Sequence, residues 1–263
     1  MKRIVSPDNP RFKALLNLVE SSRERKKQGL SLLDGPHLVD AYRAHVGLPV
    51  ELVVSDTGAA NPEVRCLVEA LTPLTPLLLP DQLFHQLSTV ATPTGVLAAV
   101  KTPRPRVASS DVDACVMLED IQDPGNLGSL LRSAAAAGMA HVFLSKLCVQ
   151  AWSPRVLRAG MGAHFMLSIY EQCDLAALIA GFEGRVIATS HRAKTIVFDA
   201  DLTGRIALLF GNEGAGVSRG LADAADVTVS IPMPGPAESL NVAAAAAVCL
   251  FERVRQLKGA AKP

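Results

Sequence analysis

The sequence predicts an α/β protein of two domains, and three observations carry that reading. Short apolar runs alternate with helical patterns along the chain, which is how strands and helices follow one another in α/β folds. The runs of the second half, among them CVMLED, HVFLS and RIALLF, are continuously apolar, as strands of a mostly parallel sheet covered on both faces must be. Before them lies KTPRPRVASS, residues 101–110, where prolines, basic residues and serines show no period; such a composition marks a linker. The expected division is a domain at 1–100, a linker at 101–112 and a domain at 113–263.

In the first domain Asn9-Pro10 offers a cap and a first helical residue, and Phe12, Leu15, Leu16 and Val19 follow at helical spacing. One helix ending at Gly29 is expected. LSLLDG, VELVVSD, TPLLL and GVLAAV read as strands, with PHLVDAYRAHVG, PEVRCLVEAL and PDQLFHQL as the helices between them. In the second domain CVMLED, HVFLS, FMLSI, RVIATS, RIALLF and DVTVSI read as strands, and NLGSLLRSAAAAG, SPRVLRAG, DLAALIAGF and VSRGLADA as helices. The last element is a long helix, almost wholly apolar or alanine, within IPMPGPAESLNVAAAAAVCLFE at 231–252. Ser239 and Asn241 are expected to open it.

Composition narrows the function. Nearly half the residues are apolar and few are aromatic, so a sizeable core of Ala, Leu and Val is expected. The net charge of +1 does not announce a polyanionic partner. Its distribution says more, since Lys2, Arg3, Arg11, Lys13, Arg23, Arg25, Lys26, Lys27 and Arg43 face five acids within residues 1–45. The cysteines (Cys66, Cys115, Cys148, Cys173, Cys249) form no CxxC pair and have no partnered histidines, so they read as reduced core residues. No metal site is expected. With no apolar signal region and no long apolar span, a cytoplasmic protein is the simplest expectation.

Four stretches could carry chemistry, and each follows a strand, where ligand sites of parallel sheets lie. In Asp120–Gly138, with Asn126 taken as the N-cap, Leu127, Leu130, Leu131, Ala134 and Ala137 share one helix face, while Ser129, Arg132 and Ser133 share the other. An arginine near a helix start works against the helix dipole and suggests an anion. LFGNEGAGVS is a glycine-dense turn whose amides can approach a ligand; it matches neither GxGxxG nor GxxxxGK[ST]. In 231–252, capping explains one of Ser239 and Asn241 more easily than both. RAGMGAH places Arg158 beside small residues.

Together DPGNLGSLLRSAAAAG (123–138), FGNEGAGVS (210–218) and IPMPGPAESLNVAAAAAVCLFE (231–252) resemble the three ordered motifs of the SpoU, or TrmH-type, ribose 2′-O-methyltransferases of the SPOUT superfamily. The resemblance covers residues 113–256. More loosely, IVSPDNP and LLDGPHLV resemble motifs of an L30e-like substrate-binding module common in that family.

The resemblance implies a deep trefoil knot in the C-terminal domain, S-adenosylmethionine held bent within it, a homodimer and an RNA substrate, with the module favouring ribosomal over transfer RNA. From residue patterns alone an open doubly wound sheet is expected, because threaded connections are rare. Position by position, the resemblance assigns catalysis to Asn126, Arg132, Glu213, Ser239 and Asn241, and cofactor contacts to Gly211, Ile231 and Leu240, with Thr189, Asn212 and Met233 as neighbours. Since arginine side chains hold their proton near neutral pH, Arg132 is read as orienting a phosphate and a hydroxyl and steadying alkoxide charge. Departures from the family pattern are Ser129 for alanine, and Gly160 and Ala243 for serine. A catalytically silent RNA-binding protein on this fold is the first alternative; a nicotinamide oxidoreductase is disfavoured by the missing GxGxxG.

Overall fold

The computed structural model describes residues 2–105 and 112–260. The expected linker therefore falls in part, at 106–111, outside the described residues. The chain divides into two compact units, one of 2–103 with 152–165 and one of 104–151 with 166–260.

The first unit holds a five-stranded sheet in the order β1-β4-β3-β5-β2, from β1 (Lys2–Arg3), β2 (Leu30–Asp34), β3 (Glu51–Ser55), β4 (Leu77–Leu79) and β5 (Val96–Lys101). Only β5 runs against its neighbours. Its helices are α1 (Pro10–Glu20), α2 (Ser22–Gln28), α3 (Pro36–His45), α4 (Asp56–Ala60), α5 (Pro62–Ala70), α6 (Asp81–Leu87) and α8 (Pro154–Gly160), the last packed on β2.

The single helix expected over 10–29 is two. Ser21 is extended and caps α2 through its hydroxyl, which accepts from Glu24 N at 3.2 Å. Arg25, buried, donates to the carbonyls of Leu18 and Val19 at 2.7 and 2.9 Å, closing the end of α1. Local side-chain bonds thus compete successfully with the helix ladder.

The basic excess of this unit is largely matched. Arg3 pairs with Asp56, Arg11 with Glu51, Lys13 with Asp8, Lys27 with Glu24 and Arg43 with Asp40. Segment 152–165 is built into the same unit: Trp152, Val156 and Leu157 are buried, and Phe165 stands edge-on to Tyr42 at 5.3 Å. Gly162 approaches Ala41 so closely that a Cβ on it would lie 3.0 Å from the alanine methyl.

The second unit is built on seven parallel strands in the order β10-β12-β9-β11-β6-β7-β8. They are β6 (Ala114–Leu118), β7 (His141–Ser145), β8 (Ser168–Cys173), β9 (Arg185–Thr189), β10 (Thr195–Ile196), β11 (Ile206–Phe210) and β12 (Val227–Ser230). Central β11 is buried at every residue, which is why its sequence shows no polar alternation. The helices are α7 (Pro124–Ala136), α9 (Leu175–Ala180), α10 (Arg219–Ala224) and α11 (Val242–Ala260); α11 packs on α7 and β11. The strand expected at FMLSI begins later, at Ser168, because Ala163–Met166 closes into a 3-10 turn.

All five cysteines are free, but only Cys115 and Cys249 are core residues, their thiols pushed up to about 12 by burial. Cys148 and Cys173 are half-buried and Cys66 is exposed, contrary to a uniform core reading.

Candidate active site

Parallel strands end on one side of their sheet, so Glu119, Ser190, Gly211 and Ile231, which follow β6, β9, β11 and β12, open loops on a common edge. Two of these loops are stitched together. Glu119 N donates to Phe210 O at 2.9 Å, and Glu119 Oε2 accepts from Ser218 N at 2.7 Å. Asn212 Nδ2 donates to Asp120 O at 2.8 Å.

Glu213 lies at the centre of this seam. Its carboxylate accepts from Asp123 N at 3.0 Å, from Gln122 N at 3.3 Å and from Asn126 Nδ2 at 3.1 Å. Burial acts to raise its carboxyl pKa, but the amides of Asp123 and Gln122, its own amide and the Asn126 side chain outweigh that and hold it below the ordinary value. The chain of bonds continues, since Asn241 Nδ2 donates to Asn126 Oδ1 at 2.8 Å and Asn241 Oδ1 accepts from Ala243 N at 2.9 Å. Three stretches far apart in sequence therefore meet through Glu213, Asn126 and Asn241.

Two expectations about helix starts are corrected. Asn126 is not the N-cap of α7: Asp123 is, accepting from Asn126 N at 2.8 Å, with Pro124 next. A proline there has no amide to satisfy and a preset φ, so the helix starts earlier and the Asn126 side chain is released towards Glu213. Arg132 then lies in the third turn rather than the second, farther from the helix start, and the dipole argument for an anion lapses. At the other end Ser239 does not open α11, which begins at Val242 under the Asn241 cap.

The remaining expected residues fall into two groups. Arg132, Ser239 and Leu240 are exposed, and among the described residues the side chains of Arg132 and Ser239 have no hydrogen bond or ion pair. Ile231 and Met233 are half-buried, and Thr189 donates its hydroxyl to Leu209 O at 3.2 Å. Asn212 serves its own turn instead, accepting from Gly214 N and Ala215 N at 3.0 and 3.1 Å. Gly211 has an internal reason to be glycine: a Cβ would lie 2.1 Å from the backbone of Gly216 and Val217.

Residue patterns missed Asp123 and Gln122, whose caps and amides orient Glu213; the DP pair before an apolar helix was the available signal for Asp123. Among the described residues no group of three His, Cys, Asp or Glu side chains could hold a metal.

A fully parallel sheet carrying a polar, glycine-lined cluster on its carboxyl edge defines an α/β ligand-binding domain with groups for acid, base or transfer chemistry. The chain belongs to the SpoU rRNA Methylase family, whose model matches residues 113–251. It is 30% identical to the 23S rRNA (guanosine(2553)-2′-O)-methyltransferase RlmP of Bacillus subtilis over 95% of this chain and 98% of that one. It is 33% identical to an uncharacterized tRNA/rRNA methyltransferase of Synechocystis, over 99% and 96% of the two chains. The crystal structure of the SpoU methyltransferase AviRb from Streptomyces viridochromogenes in complex with AdoMet superposes with a TM-score of 0.82 at 28% identity, over 95% and 100% of the two chains.

Proposed function

We propose that this protein transfers a methyl group from S-adenosylmethionine to a ribose 2′-hydroxyl of ribosomal RNA. The observation that carries the reading is the bonded chain Glu213–Asn126–Asn241, which draws the three family motifs into one cluster. The cofactor's adenosine fits the chemistry of the neighbouring edge. Ile231, Met233 and Leu240 offer apolar side chains that the fold leaves half-buried or, for Leu240, 40% exposed. Among the described residues the amides of Met233 and Leu240 donate no hydrogen bond, so they are open to the polar edge of a base. Thr189 and Gly211 complete this edge.

S-adenosylmethionine supplies an electrophilic methyl group, and the protein's part is to position the hydroxyl and steady the charge that grows on its oxygen. The bonding pattern supports a division of the five assigned side chains by role. Asn126, Glu213 and Asn241 spend their polar atoms on one another and form the frame. Arg132 and Ser239 keep free polar ends and face the substrate, Arg132 holding a backbone phosphate and the developing alkoxide.

The same reading includes a trefoil knot, a homodimer, a cytoplasmic location and no metal. The knot is supported by the ties of α11 to the stretch before β11, where Arg253 donates to Leu202 O and Gly204 O and Gln256 donates to Ala200 O at 2.9 Å. Exposed Phe251 and Leu257 on α11 suit burial by a second copy. Among the described residues no helix is long and apolar enough to cross a membrane.

The first unit is read as the L30e-like RNA-binding module. Its surface ion pairs are each worth little in water, so Arg3, Arg11, Lys13 and Lys27 can trade a carboxylate for a phosphate. Deleting residues 1–103 would strip cover from Trp152, Val156 and Leu157. Charge reversal at Lys2, Arg23 and Lys26 is therefore the cleaner test of this role: RNA affinity and its salt dependence should both fall.

The reading as a whole is tested by incubating the purified protein with labelled S-adenosylmethionine and either ribosomal or transfer RNA, then mapping ribose methylation. Label confined to transfer RNA would overturn the substrate assignment, and cofactor binding without transfer to any RNA would favour the silent RNA-binding alternative.

A further inference from the structure

Asp120 follows β6 with φ at 54°, a left-handed conformation that costs most side chains energy and that asparagine, aspartate and glycine tolerate best. Three contacts hold it there. Ser145 Oγ donates to Asp120 Oδ1 at 2.5 Å and accepts from Asp120 N at 2.9 Å. The Asp120 carbonyl accepts from Asn212 Nδ2 at 2.8 Å. Its neighbour Ile121 is gripped from the same side, its N–H donating to Cys148 Sγ at 3.3 Å and its carbonyl accepting from Val149 N at 2.8 Å. The turn after β7 thus clamps one face of this loop, and the Gly211–Gly216 turn holds the other.

The next two amides show what the clamp does. Gln122 N and Asp123 N both point at the Glu213 carboxylate. Asp123 then caps α7, the helix that carries Asn126 and Arg132. A residue at 120 in an extended or right-handed conformation would turn this pair of amides elsewhere. Strained backbone held from both faces, next to groups that need close aim, is the arrangement expected where strain serves a site.

We propose that Asp120 is a positioning residue for methyl transfer, its left-handed turn, locked by Ser145 and Asn212, aiming the Gln122 and Asp123 amides at Glu213 and thereby setting the start of α7. The inference rests on the methyltransferase reading for its kinetic consequence, but not for its structural one.

The test compares Asp120→Ala, Asp120→Gly, Asp120→Asn and Ser145→Ala in the full chain. For each, kcat and KM on ribosomal RNA, cofactor affinity and the titration of the Glu213 carboxyl by carbon NMR are measured. Asp120→Ala should lower kcat at least tenfold with cofactor affinity within about twofold, and should move Glu213 back towards the ordinary carboxylate value. Asp120→Asn, which keeps an acceptor and tolerates the turn, should recover most of the loss. Asp120→Gly and Ser145→Ala should fall between.

Equal losses in all four variants, matched by equal losses of melting temperature, would make Asp120 a merely structural residue and overturn the proposal. So would an unchanged kcat and an unchanged Glu213 titration in Asp120→Ala. If Asp120→Ala does not fold, the order of Asp120→Asn, Asp120→Gly and Ser145→Ala decides the same question. A wild-type protein that transfers nothing to ribosomal RNA defeats the functional reading alone, because the Glu213 titration still reports on Asp120.

Discussion

The two sheets of this protein use similar materials to different ends. In the first unit β5 runs against its neighbours, so loops from opposite strand ends share each edge, and many charged side chains pair one to one, as Arg43 does with Asp40 and Arg3 with Asp56. In the second all seven strands run one way, and the loops after β6, β11 and β12 arrive on one edge with their polar groups aimed together. Strand direction, more than residue content, decides which unit concentrates chemistry. An ionic side chain on the first unit answers to one partner; Glu213 answers to three groups from a different segment.

Substitutions on the two units put that contrast to the test. The largest effect is expected at Arg132, whose exposed side chain has no partner among the described residues: Arg132→Ala should cut turnover roughly a hundredfold or more while cofactor affinity, measured by calorimetry, is kept. Near-normal turnover would remove Arg132 from the site. Glu213→Gln comes next, leaving the Gln122 and Asp123 amides a weaker acceptor; because the carboxylate and both amides are exposed to water, a stability loss of only about 0.5–1 kcal/mol in urea unfolding is expected, with turnover reduced at least about tenfold.

Acid should reproduce part of that loss. The Glu213 carboxyl is held below its ordinary value, so the stability it contributes is complete above the ordinary carboxylate range and disappears as pH falls through the lowered value. The gap between wild type and Glu213→Gln should therefore close on acidification, and a gap that persisted unchanged at low pH would contradict the bonding described. Asn241→Ala removes both the α11 cap and the donor to Asn126; about 1–2 kcal/mol is expected, visible as a lower melting temperature. Smallest of all, Arg43→Ala breaks an exposed pair of the first unit and should change stability by roughly 0.5 kcal/mol or less. A larger change would mean the two units are less different than their sheets suggest.

The alternation of apolar runs and helices was legible along most of the chain because buried parallel strands leave no other pattern. The exceptions are instructive. The break at Ser21 depends on Arg25 reaching back to the carbonyls of Leu18 and Val19, a contact that helical spacing does not encode. The two-residue strands β1 and β10 exist only through their partners, β4 and β12. The inclusion of 152–165 in the first unit depends on Tyr42 and Ala41, more than a hundred residues earlier.

At the site the balance is similar. The identities of Asn126, Arg132, Glu213, Ser239 and Asn241 could be written down from three motifs, and the family they point to is the one the chain belongs to. Their division of labour could not. Whether an asparagine caps a helix, braces a carboxylate or meets a substrate depends on which donors lie within about 3 Å, and Asn126 gave up its expected cap to Asp123 because Pro124 moved the helix start. Local propensity and hydrophobic period were enough to name most of the elements, the buried strands and the residue types available for chemistry. The tertiary structure alone decided that Glu213 would be gathered by the amides of a loop some ninety residues away, and that Asp120 would be held left-handed to aim them, because hydrogen bonding is settled by distance in space.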